Sequence, residues 1–301
     1  MSTYQPVISV KGLTQRYGSG RIIYRDLSFD VPKGRILGLL GKNGTGKTTT
    51  INILMGYLRP QSGSCEIFGE SVTAMKPETR SRIALLIEGH IQYSFMTIEQ
   101  IERFYSRFYP KWNKAAYYEL MNKMHVSAGQ HISTMSCGQR SQVALGLILA
   151  QNADLLVLDD FSLGLDPGYR RLFVEYLQEY AVAEDKTVFM TSHIIQDLER
   201  LIDDCIILDY GKILTHCSVD SLLRDFKCFT LSLPEGAVTP DLTKCESIVN
   251  PSVVGRTLEL FTFGSRDSVA AALAERGLAT ESLTRRQMSL EDAFIGLTGK
   301  Y

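Results

Sequence analysis

The chain has 301 residues, 45% of them apolar and 22% charged, which is ordinary for a soluble globular protein and enough for one large domain and one small one. Its 32 basic and 33 acidic residues give a formal net charge of -1, so bulk electrostatics supply no reason to expect nucleic acid as a partner. No stretch approaches the roughly 20 apolar residues that span a bilayer, and Met1-Ser2-Thr3-Tyr4-Gln5-Pro6 lacks the positive start and apolar core of a secretory signal; any role at a membrane is expected to come through a partner. Six scattered cysteines (Cys65, Cys137, Cys205, Cys217, Cys228, Cys245) form no C-x-x-C pair, which predicts free thiols in a reducing cytosol rather than zinc or dithiol chemistry.

In chain order, Val7 to Val10 and Leu27 to Val31 read as β-structure flanking a loop with Gly18, Ser19 and Gly20. Arg35 to Leu40 is a short apolar run of the buried-strand type, and Thr49 to Met55 has helix-like apolar spacing. Between them lies Gly41-Lys42-Asn43-Gly44-Thr45-Gly46-Lys47-Thr48, which fits the phosphate-loop pattern G-x-x-x-x-G-K-[ST] at every fixed position. A strand, a glycine turn and a helix start make an anion site, because glycines let backbone N–H groups close on phosphate and the helix dipole favours negative charge there. Residues Asn43, Gly44, Thr45, Gly46, Lys47, Thr48 and Thr49 are therefore the expected nucleotide-phosphate contacts, with Lys47 on the β- and γ-phosphates and the Thr48 hydroxyl on Mg²⁺.

Ile98 to Met124 reads as helical and is rich in aromatics: Phe104, Tyr105, Phe108, Tyr109, Trp112, Tyr117 and Tyr118. Leu145 to Ala150 reads as the body of another helix. Leu155-Leu156-Val157-Leu158 is an apolar strand ending in Asp159 and Asp160, about 110 residues after the phosphate loop. That is where such an ATPase holds its metal, so Asp159 is the expected Mg²⁺ ligand and Asp160 faces the attacking water. Thr187 to Met190 and Cys205 to Leu208 are two more strands, the latter followed by a turn at Asp209-Tyr210-Gly211. Strands alternating with helices predict an α/β fold with a parallel core. After Phe226 the texture changes: Pro234, Gly236, Pro240 and Pro251 break the chain, Leu258 to Phe263 alternates, Ser268 to Arg276 is alanine-rich and closed by Gly277, and Leu290, Ala293, Phe294 and Leu297 share one helix face. The expected division is a domain over 1–228, with a helical subdomain at about 90–150, and a small α/β domain over 229–301.

Taken together, these motifs resemble the ATP-binding subunit of ABC transporters over nearly the whole length. Met135 to Gln139 is similar to that family's L-S-G-G-Q signature, Ser162 to Asp166 to its D-loop, Thr191-Ser192-His193 to its switch-histidine segment, and Tyr17 to the aromatic that stacks on adenine. The Phe108-Tyr109-Pro110-x-Trp112 cluster and Met288 to Phe294 resemble the export-type branch. The resemblance implies two nucleotide-binding domains meeting head to tail, each ATP lying between Lys47 of one chain and Ser136, Gly138 and Gln139 of the other, with His193 holding the γ-phosphate and water in line. It also implies a second ATPase subunit, identical or not, a transmembrane permease received by the helical subdomain, and a peripheral place on the cytoplasmic face of the membrane. The aromatics at 104–118 fit that docking role and equally fit the subdomain's own core.

Three positions depart from the family pattern. The usual glutamate after the metal aspartate is Asp160, one methylene shorter and roughly 1 Å or more further from the water, which predicts slow but nonzero hydrolysis. The Q-loop glutamine falls on Glu88, which keeps an oxygen for Mg²⁺ or its water, with Gln92 as the other register. Cys137 replaces a signature glycine. A soluble clamp or regulator acting through the C-terminal domain is the alternative function. A small-molecule kinase would share the phosphate loop but would need neither the signature nor the D-loop.

Overall fold

In the computed structural model every residue is described except 1–4, 19, 88–92, 162–164, 193, 197, 235–241, 243–244, 246 and 300–301, together with the side chain of Arg21. The chain divides into two compact units, Met1–His216 and Cys217–Tyr301. In the first unit the elements run β1 (Ile8–Tyr17), β2 (Arg21–Val31), β3 (Ile36–Gly41), α1 (Lys47–Leu54), β4 (Ser62–Ile67), β5 (Glu70–Ser71), α2 (Pro77–Arg80), β6 (Ile83–Leu86), α3 (Ile98–Tyr105) and α4 (Lys114–Lys123). They continue as α5 (Cys137–Ala150), β7 (Leu155–Asp159), α6 (Pro167–Ala183), β8 (Thr187–Ser192), β9 (Asp204–Asp209) and β10 (Lys212–Ser218), the last crossing into the second unit. Among the described residues no helix is long and apolar enough to cross a membrane.

Two sheets build the first unit. One is antiparallel, in the order β2-β1-β4-β5; the other has six strands in the order β10-β9-β3-β8-β7-β6. The pairs β9/β3, β3/β8, β8/β7 and β7/β6 are parallel, as the alternation of elements predicts. Every residue of β3, β7 and β8 is buried, which is why these strands read as continuous apolar runs rather than alternating ones. The register places Leu40 beside Ser192 and Asp159 beside Thr191. The carboxyl ends of β3, β7 and β8 therefore come out side by side, the position where open α/β sheets bind ligands.

The helix expected over 98–124 is two helices. α3 opens on a capping box between Thr97 and Gln100, and α4 is capped by the Asn113 side chain, which accepts from the Ala116 N–H. Pro110 sits in the break, where it has no N–H to offer a continuing helix. The Trp112 indole N–H donates to Glu102 at 2.9 Å and the Tyr117 hydroxyl donates to the Ile98 carbonyl at 3.1 Å, tying the two helices together. The aromatic stretch divides accordingly: Tyr117 is fully buried, whereas Phe108 is 62% exposed.

The second unit holds α7 (Val219–Asp225), β11 (Lys227–Ser232), β12 (Val249–Val254), β13 (Thr257–Thr262), α8 (Arg266–Ala274), β14 (Thr284–Arg286) and α9 (Leu290–Thr298). Its sheet runs β12-β13-β11-β14, antiparallel throughout. Phe229, Leu231, Leu258, Leu260, Val269 and Leu273 form its core. Phe226, which follows α7, belongs to this unit, and its ring stacks on Phe261 at 6.0 Å. The expected apolar face of the last helix is also adjusted: Leu290, Ala293 and Phe294 are buried, but Gly296 is buried where Leu297 was expected.

Candidate functional site

The phosphate loop is held rigid by its own backbone. The Thr45 hydroxyl donates to the Lys42 carbonyl at 2.8 Å and the Thr50 hydroxyl to the Gly46 carbonyl at 2.9 Å. Gly46 takes φ +108°, and a Cβ there would lie 2.5 Å from Ile23 Cγ2, so only glycine allows the turn this close to β2. Gly46 is also the N-cap of α1 and brings no side-chain cap. Such a helix start accepts an anion. The Lys47 ammonium is buried and donates to the carbonyls of Gly41 (2.7 Å) and Lys42 (3.2 Å). Burial lowers its pKa from the ordinary lysine value, with the Asp160 and Asp159 carboxylates pulling the other way. Asn43, Gly44 and Thr48 are exposed at the loop's surface, and Thr49 is buried with its hydroxyl 3.3 Å from the hydroxyl of Tyr17. Tyr17, at the end of β1, is 47% exposed.

The acidic strand end lies across the loop. Asp159 is buried; its Oδ1 accepts from the Thr191 hydroxyl at 2.7 Å and from the Thr48 hydroxyl at 3.3 Å. Burial pushes the Asp159 carboxyl above the usual carboxylate range, the two hydroxyls oppose that, and the neighbouring Asp160 charge adds to it. Asp160 follows at φ +45°, an uncommon left-handed backbone for an aspartate, and its N–H donates to Thr191 Oγ1 at 3.1 Å. Among the described residues no cluster of three or more His, Cys, Asp or Glu is placed to hold a metal. The oxygen donors that do converge are a hydroxyl and a carboxylate, Thr48 and Asp159, which suit a hard cation that draws its other ligands from phosphate and water.

The signature segment is built differently. Ser136 caps α5: its Oγ accepts from the Gln139 N–H at 3.2 Å, and Gln139 Oε1 accepts from the Ser136 N–H at 3.1 Å. Ser136 and Cys137 are exposed, whereas Gly138 is buried. A Cβ on Gly138 would stand 2.2 Å from Tyr169 Cδ2, so this glycine has a packing reason inside its own unit, against α6. Asp166, at the end of the D-loop segment, caps α6 by accepting from the N–H groups of Gly168 and Tyr169 at 3.0 and 3.1 Å. Two expected site residues, Glu88 and His193, lie outside the described residues, as do Gln92 and Ser162 to Gly164.

The structure thus brings Tyr17, Thr45 to Thr49, Asp159 and Asp160 to one place, while Ser136, Gly138 and Gln139 stand at the start of a separate helix. Thr191 escaped the sequence reading, which took the segment 191–193 only for its histidine; the sign available was a hydroxyl residue inside an otherwise apolar strand. A groove of about 450 Å³ was not legible either. Tyr57, Ile87, Tyr105, Tyr109, Ile148 and Arg80 are among its lining, contributed by α1's exit, α2, β6's exit, α3's exit and α5.

A family model described as ABC transporter matches residues 24–162. The chain is 26% identical to the Nod factor export ATP-binding protein I of Ralstonia nicotianae over 98% of its own length and 94% of that protein's. It is 29% identical to the bacitracin transport ATP-binding protein of Bacillus licheniformis over 97% of each. A solved structure described as the ATP binding subunit of an ABC transporter superposes with a TM-score of 0.64 at 25% identity, covering 72% of this chain and 92% of that one.

Proposed function

We propose that the chain is an ATP-binding subunit of the ABC transporter family, one that binds and hydrolyses ATP to drive a separate membrane-spanning subunit of an export system. The observation that carries the reading is the convergence of the phosphate loop, Asp159 and Asp160 at the carboxyl ends of β3 and β7, with Thr48 and Asp159 in hydrogen-bond contact at 3.3 Å. The relatives that match over 97–98% of the chain are named for export and transport, which supports the export assignment.

Each residue then has a task. Tyr17, half exposed beside the loop, offers its ring to adenine. The N–H groups of residues 43 to 49 and the start of α1 take the phosphates, and the Lys47 ammonium offsets their charge. Thr48 and Asp159 would hold Mg²⁺, with Glu88 as a further oxygen donor, and the ion would supply positive charge to offset that of the phosphates. Asp160 accepts a hydrogen bond from the attacking water and aims it at the γ-phosphate, and His193 steadies both. Asp160 is shorter than glutamate, so turnover is slow.

A second ATPase subunit completes the site. Ser136 uses its hydroxyl as acceptor in its own cap, which leaves the hydroxyl hydrogen free for a γ-phosphate oxygen across a head-to-tail dimer. The groove beside α3 and α5 receives a cytoplasmic segment of the permease, holding the chain at the inner face of the membrane. The test is a tagged pull-down from detergent-solubilised native membranes, with co-purifying chains identified by mass spectrometry. A polytopic membrane protein in stoichiometric yield is expected; recovery of soluble chains alone would overturn the reading.

A further inference from the structure

We propose that Thr191 is a positioning residue of the ATPase site, whose single hydroxyl fixes the Asp159 carboxylate and the Asp160 backbone as one unit. The inference rests on the roles given above to those two aspartates. Thr191 is fully buried on β8, in register with Asp159 on one side and Leu39 of β3 on the other. A threonine hydroxyl has one hydrogen and two lone pairs. The hydrogen is used on Asp159 Oδ1 at 2.7 Å, so the 3.1 Å contact with Asp160 is acceptance from its backbone N–H. One atom therefore sets both the carboxylate rotamer of the first acid and the peptide orientation of the second.

Two features give that atom its consequence. Asp160 stands at φ +45°, in the left-handed region uncommon for residues other than glycine, and the Thr191 oxygen anchors its N–H. Asp159 Oδ1 is engaged by Thr191 and Thr48, while Oδ2 makes no hydrogen bond among the described residues. The carboxylate thus presents a defined free oxygen to a cation. Ligands whose orientation is fixed by an outer partner typically lose about 10- to 100-fold in metal affinity or activity when that partner is removed. Thr191 has that place.

The test compares Thr191→Val, which keeps shape and removes the hydroxyl, with Thr191→Ser, which keeps the hydroxyl and removes the methyl. Binding of mant-ATP is read by fluorescence in Mg²⁺ and in EDTA, alongside kcat, KM and the melting temperature of the full chain. Thr191→Val is expected to lower kcat by about 10- to 100-fold and to lose most of the Mg²⁺-dependent gain in affinity. Its affinity in EDTA should stay within about twofold, because the phosphate loop is untouched, and Thr191→Ser should restore both readouts to within about threefold. A valine variant with wild-type kcat and Mg²⁺ response would overturn the proposal, as would a serine variant as impaired as valine, since the methyl packing would then be what matters. Thr191→Ala makes the same hydroxyl cut without a branched side chain and decides the matter if the valine variant does not fold. Wild-type protein that binds no mant-ATP in either condition would instead overturn the ATPase reading and this proposal with it.

Discussion

The two helix starts on which the proposed ATP site depends are opposites. α1 begins at a glycine in a left-handed conformation with no side-chain cap, and its lysine, its hydroxyls and the facing acids are interlocked around it. α5 begins at a serine closed by a capping box with Gln139, and Ser136 and Cys137 are exposed while Gly138 is buried. The first start has no side-chain cap; the second has a box that takes the N–H groups of Ser136 and Gln139 and leaves those of Cys137 and Gly138 uncapped by it. On the proposed head-to-tail arrangement, one chain would hold nucleotide by the first start alone, and the second would matter only when two subunits close. Binding and turnover are separable on this view, and substitutions at the two starts should separate them.

The largest effect is expected at the loop. Lys47→Ala removes an ammonium buried against the phosphate loop's own carbonyls and should lower turnover by about 10³-fold while also weakening mant-ATP binding in the isolated chain. Phosphate release and fluorescence titration on the same preparation read both quantities. If binding survived unchanged, the asymmetry between the two starts would fail at its stronger end.

Ser136→Ala comes next and should split the readouts. Turnover is expected to fall by about 10²-fold, as for loss of one donor to developing charge, while mant-ATP affinity of the isolated chain stays within about twofold. Loss of the cap costs about 1 kcal/mol of stability, visible as a lower melting temperature. A fall in monomer affinity matching that of Lys47→Ala would erase the distinction.

How much of this was legible in the sequence follows the same division. The phosphate loop announced itself because the backbone geometry it needs can be built by few residues, and glycine at φ +108° beside Ile23 is one of them. Strands β3, β7, β8 and β9 were legible because burial on both faces leaves continuous apolar runs. The break between α3 and α4 was not read, although Pro110 lies in it, because the run of aromatics continues across it through Phe108, Tyr109 and Trp112. Thr191 stayed hidden because hydrogen bonding between neighbouring strand ends depends on strand order, and sequence does not state that β7 lies beside β8.

A smaller effect, of opposite sign, is expected at the acid. Asp160→Glu extends the carboxylate by one methylene toward the water and should raise turnover by about tenfold with little change in KM. The gain should require an intact Ser136, since the water is in place only when the second start has closed on the nucleotide. Steady-state kinetics of Asp160→Glu with and without Ser136→Ala measure that dependence. An increase that persists in the double variant would show that the acid works without the facing subunit.

The smallest effect tests whether a signature glycine serves the interface or its own unit. Gly138 follows Cys137 in the first turn of α5, and a methyl group there would meet the Tyr169 ring at 2.2 Å from Cδ2 and 2.7 Å from Cγ. Cγ lies at the root of the ring, so shifting the far end of the side chain does not relieve the contact. Overpacking of this kind costs about 1 to 3 kcal/mol, against which the better helix propensity of alanine returns only about 1 kcal/mol. Gly138→Ala should therefore lower the melting temperature of the isolated chain. In a Tyr169→Ala background the clash is gone and the propensity remains, so the same substitution should become neutral or stabilising, a reversal that a double-mutant cycle reads directly. A Gly138→Ala variant that melts like wild type but cannot close on ATP would move this glycine from the fold of one subunit to the interface between two, and would make the second helix start as dependent on backbone access as the first.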